Sequence, residues 1–397
     1  MSFFRRRLML NKGESNVPNY LCFTALEEGT FTFTVFSNLG LAYFTYAAYS
    51  INNTNNWVTL NNVNNQDVSI TTPTVNAGDK VYWKGKGTRL LGVVGTGDTN
   101  GVRFSSTCRF NASGKLSSLC NEKPIDEIVA RIRAYGDIFG NCSTLIDASE
   151  LILPKFTSGA SAIFYGLFYN CTNLIKIPKL DNEITISDCY GEMFKGCTSL
   201  IEVDEDLLPA TTLSSNCYGS MFKGCTSLTK APKLPATNIT GYREMFYGCL
   251  SLVNVPDIYV NDISGNYPLG YMFVNCTSLK HCPIKSVPDY VTVDCFREMF
   301  NGCTSLEDIM ELPALTLAAN CYSMLFTKSK VSYVKMLATD ISASSCMFRW
   351  MRDVPNVSTS IFVKNINATW TNRDESSIPT NWTIIYYDPA IDKYYTD

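Results

Sequence analysis

The stretch that decides the fold is Cys217-Tyr-Gly-Ser-Met-Phe-Lys-Gly-Cys-Thr-Ser-Leu-Thr-Lys-Ala-Pro-Lys-Leu234, because its pattern recurs along more than half of the chain. The second cysteine of the pattern returns every 24 to 29 residues. That interval is typical of leucine-rich repeats and is shorter than the roughly 33 residues or more of helical-pair repeats. The sequence therefore predicts a solenoid of stacked repeats over residues 135–355. The repeat cysteines are Cys142, Cys171, Cys197, Cys225, Cys249, Cys276 and Cys303.

Each repeat places apolar residues at the spacing of one helical face. Tyr190, Met193 and Phe194 stand at i, i+3 and i+4, and the cysteine follows at i+7. Asp188 is a good N-cap residue, and Gly196 tolerates the left-handed backbone that ends a helix. The pattern predicts a helix of about two turns per repeat. The phenylalanines predicted to lie in the repeat core are Phe168, Phe194, Phe222, Phe246, Phe273 and Phe300.

The residues after each cysteine favour an extended conformation. In Leu228-Thr-Lys-Ala-Pro232 a proline closes the extended run, and proline both stops a helix and limits strand pairing. We therefore expect a parallel strand of about three or four residues per repeat. The predicted fold class is α+β/β: an N-terminal antiparallel β-sandwich of immunoglobulin-like type, followed by a leucine-rich-repeat solenoid with one short parallel strand and one short helix per coil.

The 16 cysteines are explained first by packing. One cysteine per coil forms an inward ladder, and free cysteine is a small residue that is readily buried. Free thiols are the favoured interpretation, although coils stacked about 4.8 Å apart leave disulfides open on distance grounds. The cysteine spacing is wrong for a zinc finger, so no metal and no cofactor are predicted. His281 precedes Cys282; a variant strand position is favoured there, and a Cys/His nucleophile pair is the alternative.

The flanks of the repeats differ from them in composition. Alternating segments such as Phe31-Thr-Phe-Thr-Val-Phe36 and Lys80-Val-Tyr-Trp83, separated by turns rich in Asn and Gly, predict the β-sandwich over residues 19–120. Residues 121–134 are predicted to form a linker and a capping helix, and residues 356–397 a C-terminal cap with aromatic lids. Residues 1–18 form a basic arm. The arm residues assigned to assembly are Phe3, Phe4, Arg5, Arg6 and Arg7.

Composition argues against two classes of partner. The 397 residues include 33 basic and 36 acidic ones, a net charge of −3. Without a basic block, no nucleic-acid partner is expected. No apolar run approaches the roughly 20 residues that cross a bilayer, so no membrane insertion is expected. After Arg7 only Leu8, Met9 and Leu10 are apolar, a run too short for the core of a signal peptide.

The repeat, read as Cys-Tyr-x-x-Met-Phe-x-Gly-Cys-Thr-Ser-Leu-x-x-x-Pro-x-Leu, resembles the BspA-type leucine-rich-repeat proteins. It departs from them in the first repeat, at Leu250, where threonine is usual, and in the eroded last units. The region from Pro18-Asn-Tyr-Leu-Cys-Phe-Thr-Ala25 through Gly78-Asp-Lys-Val81 is similar to the leader that precedes such repeats in gut Bacteroidetes and their tailed, crAss-like phages. The resemblance implies adhesion for cell-surface members, and the start without a signal peptide favours the phage setting.

The leading hypothesis is a virion-surface or fibre protein of a bacteriophage, on head or tail, made in the host cytoplasm. Its N-terminal region would contact other virion proteins, with a homotrimer left open, and its repeats would bind a host cell-surface glycan or protein. The alternative is a bacterial cell-surface leucine-rich-repeat adhesin. A glycan-processing enzyme is the third class, because Glu202, Asp204, Glu205 and Asp206 cluster. Solvation of a variable loop is the ordinary interpretation of that cluster, so no catalytic residue is predicted.

The predicted binding residues are strand side chains that vary between repeats. Their mixed charge suits a protein or glycan partner better than a polyanion. The alternative for each residue is that its side chain is only solvated and binds no partner. They are Lys176, Lys179, Glu202, Lys230, Lys233, Asn254, Asp257, Lys280 and Glu307.

Overall fold

The structure is a computed structural model that describes residues 19–36, 44–61, 68–87, 101–122, 124–130, 133–159, 161–183, 186–234, 241–263 and 267–396. The predicted basic arm lies outside the described residues, and so do its assembly residues Phe3, Phe4, Arg5, Arg6 and Arg7.

Two β-sheets form the first part of the described chain. The first sheet has six strands, in the spatial order β10 (Leu145–Ile152), β8 (Phe110–Lys115), β1 (Leu21–Ala25), β6 (Lys80–Gly87), β3 (Phe44–Ile51) and β4 (Val58–Asn61). Its neighbouring strands are antiparallel except β10 and β8, which are parallel. The second sheet has three antiparallel strands, in the order β5 (Val68–Thr71), β2 (Phe31–Phe36) and β7 (Gly101–Ser106).

Aromatic rings fill the space between these two sheets. Every second residue of β2 is buried, which places Phe31 and Phe33 in the core. The ring centroids of Phe23 on β1 and Phe104 on β7 lie 4.7 Å apart. Phe104 also stacks on Phe139 of the first repeat at 5.7 Å. The two sheets and the repeats therefore share one hydrophobic core.

The repeats form successive turns and not helices. In one repeat the backbone is left-handed at every fourth residue, with φ of 57° at Asp188, 54° at Glu192 and 77° at Gly196. A continuous α-helix requires φ near −63° at each of its residues. These left-handed positions therefore divide the predicted helix into four-residue turns.

The backbone amides of a turn segment alternate between two kinds of partner. The Met193 amide donates to the Tyr190 carbonyl at 3.2 Å, three residues back in the same repeat. The Phe194 amide donates to the Met221 carbonyl of the next repeat at 3.0 Å. Half of the amides thus join neighbouring repeats, which an α-helix, with its internal hydrogen bonds, does not allow.

The predicted fold class is therefore wrong. The structure is 1% helical and 27% strand, with several small separate sheets and no solenoid, and it does not show a helix in each repeat. Within the described ranges there is one α-helix, α1 (Ser118–Asn121), which precedes the repeats. The cause of the error is the similarity of two periods. An α-helix has 3.6 residues per turn, and over nine residues a period of four residues places side chains less than about one residue away from that helical spacing.

A parallel strand in every repeat is not observed either. Glu202, Lys230 and Asn254 join successive repeats only through isolated parallel bridges. Two short strands, β12 (Ile258–Tyr259) and β13 (Ile284–Ser286), pair in parallel further along. Proline lacks an amide hydrogen, so Pro232 and Pro256, each two residues after a bridge, cannot donate to a longer ladder.

The phenylalanine rings of successive repeats stack nearly face to face. Phe194 and Phe222 lie 5.6 Å apart at an interplanar angle of 15°, and Phe222 and Phe246 lie 5.8 Å apart at 2°. All three rings are fully buried. Each contributes a large apolar area, and stacking adds about 0.5–1.5 kcal/mol per pair. The ladder contains Phe139, Phe168, Phe194, Phe222, Phe246, Phe273, Phe300 and Phe326.

The segment before the repeats also differs from its prediction. The prediction of a capping helix within residues 121–134 is wrong, because β9 (Glu127–Ala130) lies there and pairs in parallel with β11 (Lys155–Gly159). An extended segment can donate and accept backbone hydrogen bonds along an adjacent strand, which a helix cannot. A strand therefore adds directly to β11.

The last part of the chain forms a four-stranded sheet. Its strands, in spatial order, are β14 (Tyr333–Met336), β15 (Ile361–Asn365), β16 (Thr383–Asp388) and β17 (Lys393–Thr396). The first three are parallel and β17 is antiparallel. The buried indole of Trp350 donates to the Ser377 carbonyl at 2.7 Å, and that of Trp382 to the Pro355 carbonyl at 2.8 Å. These bonds join residues beyond 355 to the last repeat.

Candidate functional site

The repeat cysteines connect neighbouring repeats through their thiols. The Cys197 thiol donates to the carbonyl of Phe168 in the preceding repeat at 3.3 Å, and that of Cys225 donates to Phe194 at 3.1 Å. The same arrangement holds for Cys171, Cys249, Cys276 and Cys303. Burial raises the pKa of the Cys225 thiol to about 12, so this group stays protonated and remains a donor. All sixteen cysteines are free thiols.

Most of the predicted binding lysines form ion pairs with neighbouring carboxylates. Lys176 lies 3.4 Å from Asp147 and Lys179 lies 2.9 Å from Asp181. Lys230 and Lys233 share Glu205, at 3.0 and 2.9 Å. Asp257 lies 3.5 Å from Lys285. Glu202 and Asn254 flank Lys230 through the backbone bridges.

Lys176, Glu202, Lys230 and Asn254 each stand five residues after their repeat cysteine and form one row, and two other predicted binding residues stand one position before it. The row continues from Asn254 through His281 and Asp308, whose side chains meet at 3.0 Å. Lys280 and Glu307 lie one residue earlier, and the Glu307 amide donates to the Lys280 carbonyl at 2.9 Å. The structure therefore does not place all nine predicted residues in one row.

The histidine and cysteine considered as a nucleophile pair have different surroundings. The His281 side chain is 73% exposed and contacts Asp308. Cys282 is buried, and its thiol lies 3.8 Å from the Met310 sulfur. Burial raises the Cys282 pKa to about 12, which leaves a neutral thiol without a base. This pair does not form an activated nucleophile.

Within the acidic cluster, Glu205 is held ionised by its lysine partners. Hydrogen bonds from Lys233 and Lys230 hold the pKa of Glu205 below its usual range. A general acid needs a raised pKa at neutral pH. Glu205 does not meet that requirement.

A polar slot with a volume of about 220 Å³ opens on the turn segments of successive repeats. It is lined by Tyr165, Asp188, Glu192, Asn216, Gly219, Ser220, Arg243 and Glu244.

The slot exists because glycine occupies two equivalent positions. Backbone hydrogen bonds align Tyr165, Gly191, Gly219 and Arg243 in successive repeats. The Tyr165 ring lies against Gly191, with two of its carbons 2.9 Å from where a Cβ would stand. Gly219 adds no side chain of its own. Tyr165 and Arg243 therefore form opposite ends of the slot.

Two of the three slot carboxylates are neutralised by nearby cations. Glu192 lies 3.0 Å from Lys195. Glu244 lies 2.5 Å from Lys223 and 3.1 Å from Arg243. Burial opposes the ionisation of Glu244, yet Lys223 and Arg243 outweigh it and hold its pKa below the usual range. These pairs leave the slot close to neutral.

Other polar groups in the slot have no partner within the described ranges. The half-buried side chains of Asp188 and Asn216 form no ion pair or hydrogen bond there, and the Arg243 Nε is buried without an acceptor. Burial raises the pKa of Asp188, while the Arg133 charge opposes this. Buried polar groups gain most from a ligand that supplies hydrogen bonds.

The sequence prediction placed the binding residues after the cysteines and missed the slot. A signal was nevertheless present. Gly191 and Gly219 stand two residues before the recurring methionines, where three other repeats carry Tyr165, Arg243 and Arg297 and a fourth carries Gly270. Missing side chains on an otherwise occupied surface create a depression.

The residues that the structure describes include no group of three or more His, Cys, Asp or Glu placed to hold a metal ion. No helix among them is long and apolar enough to span a membrane. Comparison with protein-family models, curated proteins and solved structures found no match.

Proposed function

We propose that this chain is a bacteriophage virion-surface or fibre protein whose repeats bind a host cell-surface glycan or protein. The observation that carries the proposal is the row of thiols that donate between repeats. A fold that uses reduced cysteine as a donor suits assembly in the reducing cytoplasm. Virion parts reach the exterior from that compartment, whereas a secreted adhesin passes through an oxidising one.

The lining of the slot suits ligand binding. Its Glu244 has a depressed pKa because two cations lie beside it. This carboxylate therefore does not fit the role of a glycosidase acid, which needs a protonated carboxyl group near neutral pH. The polar groups of the slot can hold a ligand through hydrogen bonds.

The test is mass spectrometry of a density-gradient band of particles from the producing culture. We expect the chain in stoichiometric amount with other particle proteins. Recovery only in bacterial cell envelopes would contradict the virion proposal and would support the adhesin alternative. A parallel preparation from cells without particles controls for protein that sediments with debris.

A further inference from the structure

We propose that the polar slot binds one neutral pyranose residue of a surface glycan. This inference names the ligand of the repeats and rests on the proposed function only for the biological source of the glycan. The proposed sugar ligand does not depend on where the protein resides.

The size of the slot fits a single sugar ring. Its volume of about 220 Å³ corresponds to the liquid volume of roughly seven water molecules. Drug-sized ligands occupy pockets of roughly 300–1,000 Å³, so the slot is small for them. A larger glycan would place one residue in the slot and continue over the open surface of the neighbouring repeats.

The chemistry of the lining matches a ring bearing several hydroxyl groups. The Asp188 carboxylate accepts hydrogen bonds, the Arg243 guanidinium donates them, and the Asn216 amide does both. Hydroxyl groups can satisfy each of these, because every hydroxyl is both a donor and an acceptor. Tyr165 adds an aromatic wall against which the C–H groups of a sugar can pack.

The charge balance favours a neutral ligand. Glu192 and Glu244 already pair with Lys195, Lys223 and Arg243. An anionic sugar would meet these two carboxylates and that of Asp188. A cationic sugar could pair with Asp188 but would also lie beside Lys195, Lys223 and Arg243. A neutral sugar forms its hydrogen bonds without breaking an ion pair.

The test uses saturation-transfer NMR on the full chain with methyl glucoside, methyl mannoside and methyl galactoside as probes. Glucuronate and glucosamine serve as the anionic and cationic comparators. We expect transfer to the ring C–H protons of at least one neutral glycoside and weaker transfer to both comparators. Stronger transfer to a charged comparator, or none to any neutral glycoside, would overturn the proposal.

The variant Gly219→Gln blocks the slot without changing its charge. The equivalent positions carry Tyr165 and Arg243, so the turn accepts long side chains there. We expect at least about a tenfold loss of affinity, the loss of roughly 1.4 kcal/mol of binding free energy. Gly270→Gln, at the equivalent position outside the slot, is the matched control and should change affinity less than about twofold. Equal binding by both variants would remove the slot from consideration.

The variant Asp188→Asn tests the hydrogen-bonding role separately from shape. Asparagine tolerates the left-handed backbone at this position, where φ is 57°. We expect weaker binding with an unchanged melting temperature, because only one acceptor is altered. If particles carry the protein but no glycoside binds, the proposed function stands and this inference fails. If glycosides bind but particles lack the protein, this inference stands and the proposed function fails.

Discussion

The thiol of Cys225 and the amide of Cys197 both donate to the carbonyl oxygen of Phe194, each at 3.1 Å. Cys197 lies in the same repeat as Phe194 and Cys225 in the next one. A carbonyl oxygen has two lone pairs, and this arrangement uses both. The cysteine of each repeat thus contributes a hydrogen bond between repeats as well as packing.

Replacing Cys225 with alanine should lower the free energy of unfolding by about 1–3 kcal/mol, because the change leaves a small cavity and removes the thiol donor. Urea denaturation followed by circular dichroism measures this loss. The matched control is Cys189→Ala, since Cys189 is equally buried but its thiol makes no hydrogen bond among the described residues. Equal losses in the two variants would show that the thiol bond contributes nothing.

Gly196 and Gly224 share a left-handed backbone but not their surroundings. Their φ angles are 77° and 75°. A Cβ on Gly196 would lie 2.1 Å from the Asn170 Oδ1, whereas a Cβ on Gly224 would meet only Gly196, at 3.8 Å. Both alanine variants should lose about 1–2 kcal/mol to backbone strain. Gly196→Ala should lose about 1 kcal/mol more, because the Asn170 side chain must give up its hydrogen bond to Asn141.

Thermal melting of the two glycine variants measures this difference. Asn170→Gly removes both the clash and the hydrogen bond, so Gly196→Ala and Gly224→Ala should melt close to each other when each is combined with Asn170→Gly. A difference between these two double variants as large as that between the single variants would show that the contact with Asn170 is not the cause.

The sequence identifies which residues are equivalent but not the backbone that presents them. Phe194 and Phe222 share one pattern position, and their rings stack at 5.6 Å. The left-handed residues Glu192 and Met324 belong to types that usually avoid this conformation, so composition gave no warning of it. Hydrogen bonds to the next repeat help to stabilise this conformation, and those bonds depend on stacking. The slot was missed because its signal is the absence of a side chain at Gly219.

Two buried lysines of the C-terminal sheet should respond oppositely to replacement by methionine. Lys335 pairs with Glu311 at 3.1 Å and lies 4.1 Å from the Tyr387 ring centroid. Lys364 donates to the Trp370 carbonyl and lies 4.6 Å from the Trp370 ring centroid, but it has no carboxylate partner within the described ranges. Burial lowers the pKa of Lys364, and the charge of Arg373 adds to this.

Lys364→Met should therefore raise the free energy of unfolding at pH 7 by about 1 kcal/mol, since it removes an unpaired buried charge. Lys335→Met should lower it by about 1 kcal/mol, since it removes the contact with the Tyr387 ring and an ion pair that water already weakens, because the Glu311 side chain is 64% exposed. Denaturant titration of both variants and the wild type measures these shifts. Shifts of the same sign would contradict the assignment of the Lys364 charge as unpaired.

Loss of the Asp137 proton should lower the free energy of unfolding as the pH rises. Burial raises its pKa from 3.8 to about 7, although Arg103 and Arg133 oppose the shift. Its Oδ2 has no hydrogen-bond partner, and the residue is 5% exposed. An acid with a raised pKa in the folded state binds its proton more tightly when folded. The resulting stabilisation is complete below the unfolded value near 3.8 and is lost as the pH rises through about 7.

Asp137→Asn mimics the protonated group and suits the left-handed backbone, where φ is 50°. At pH 8 it should raise the free energy of unfolding by about 1–3 kcal/mol, because no charge remains to be buried. At pH 4 the variant and the wild type should be nearly equal. Urea denaturation at pH 4, 6 and 8 measures how the free energy of unfolding depends on pH. This dependence should be weaker for the variant than for the wild type. A variant that keeps the wild-type slope would assign the pH dependence to other groups, because the substituted amide cannot titrate.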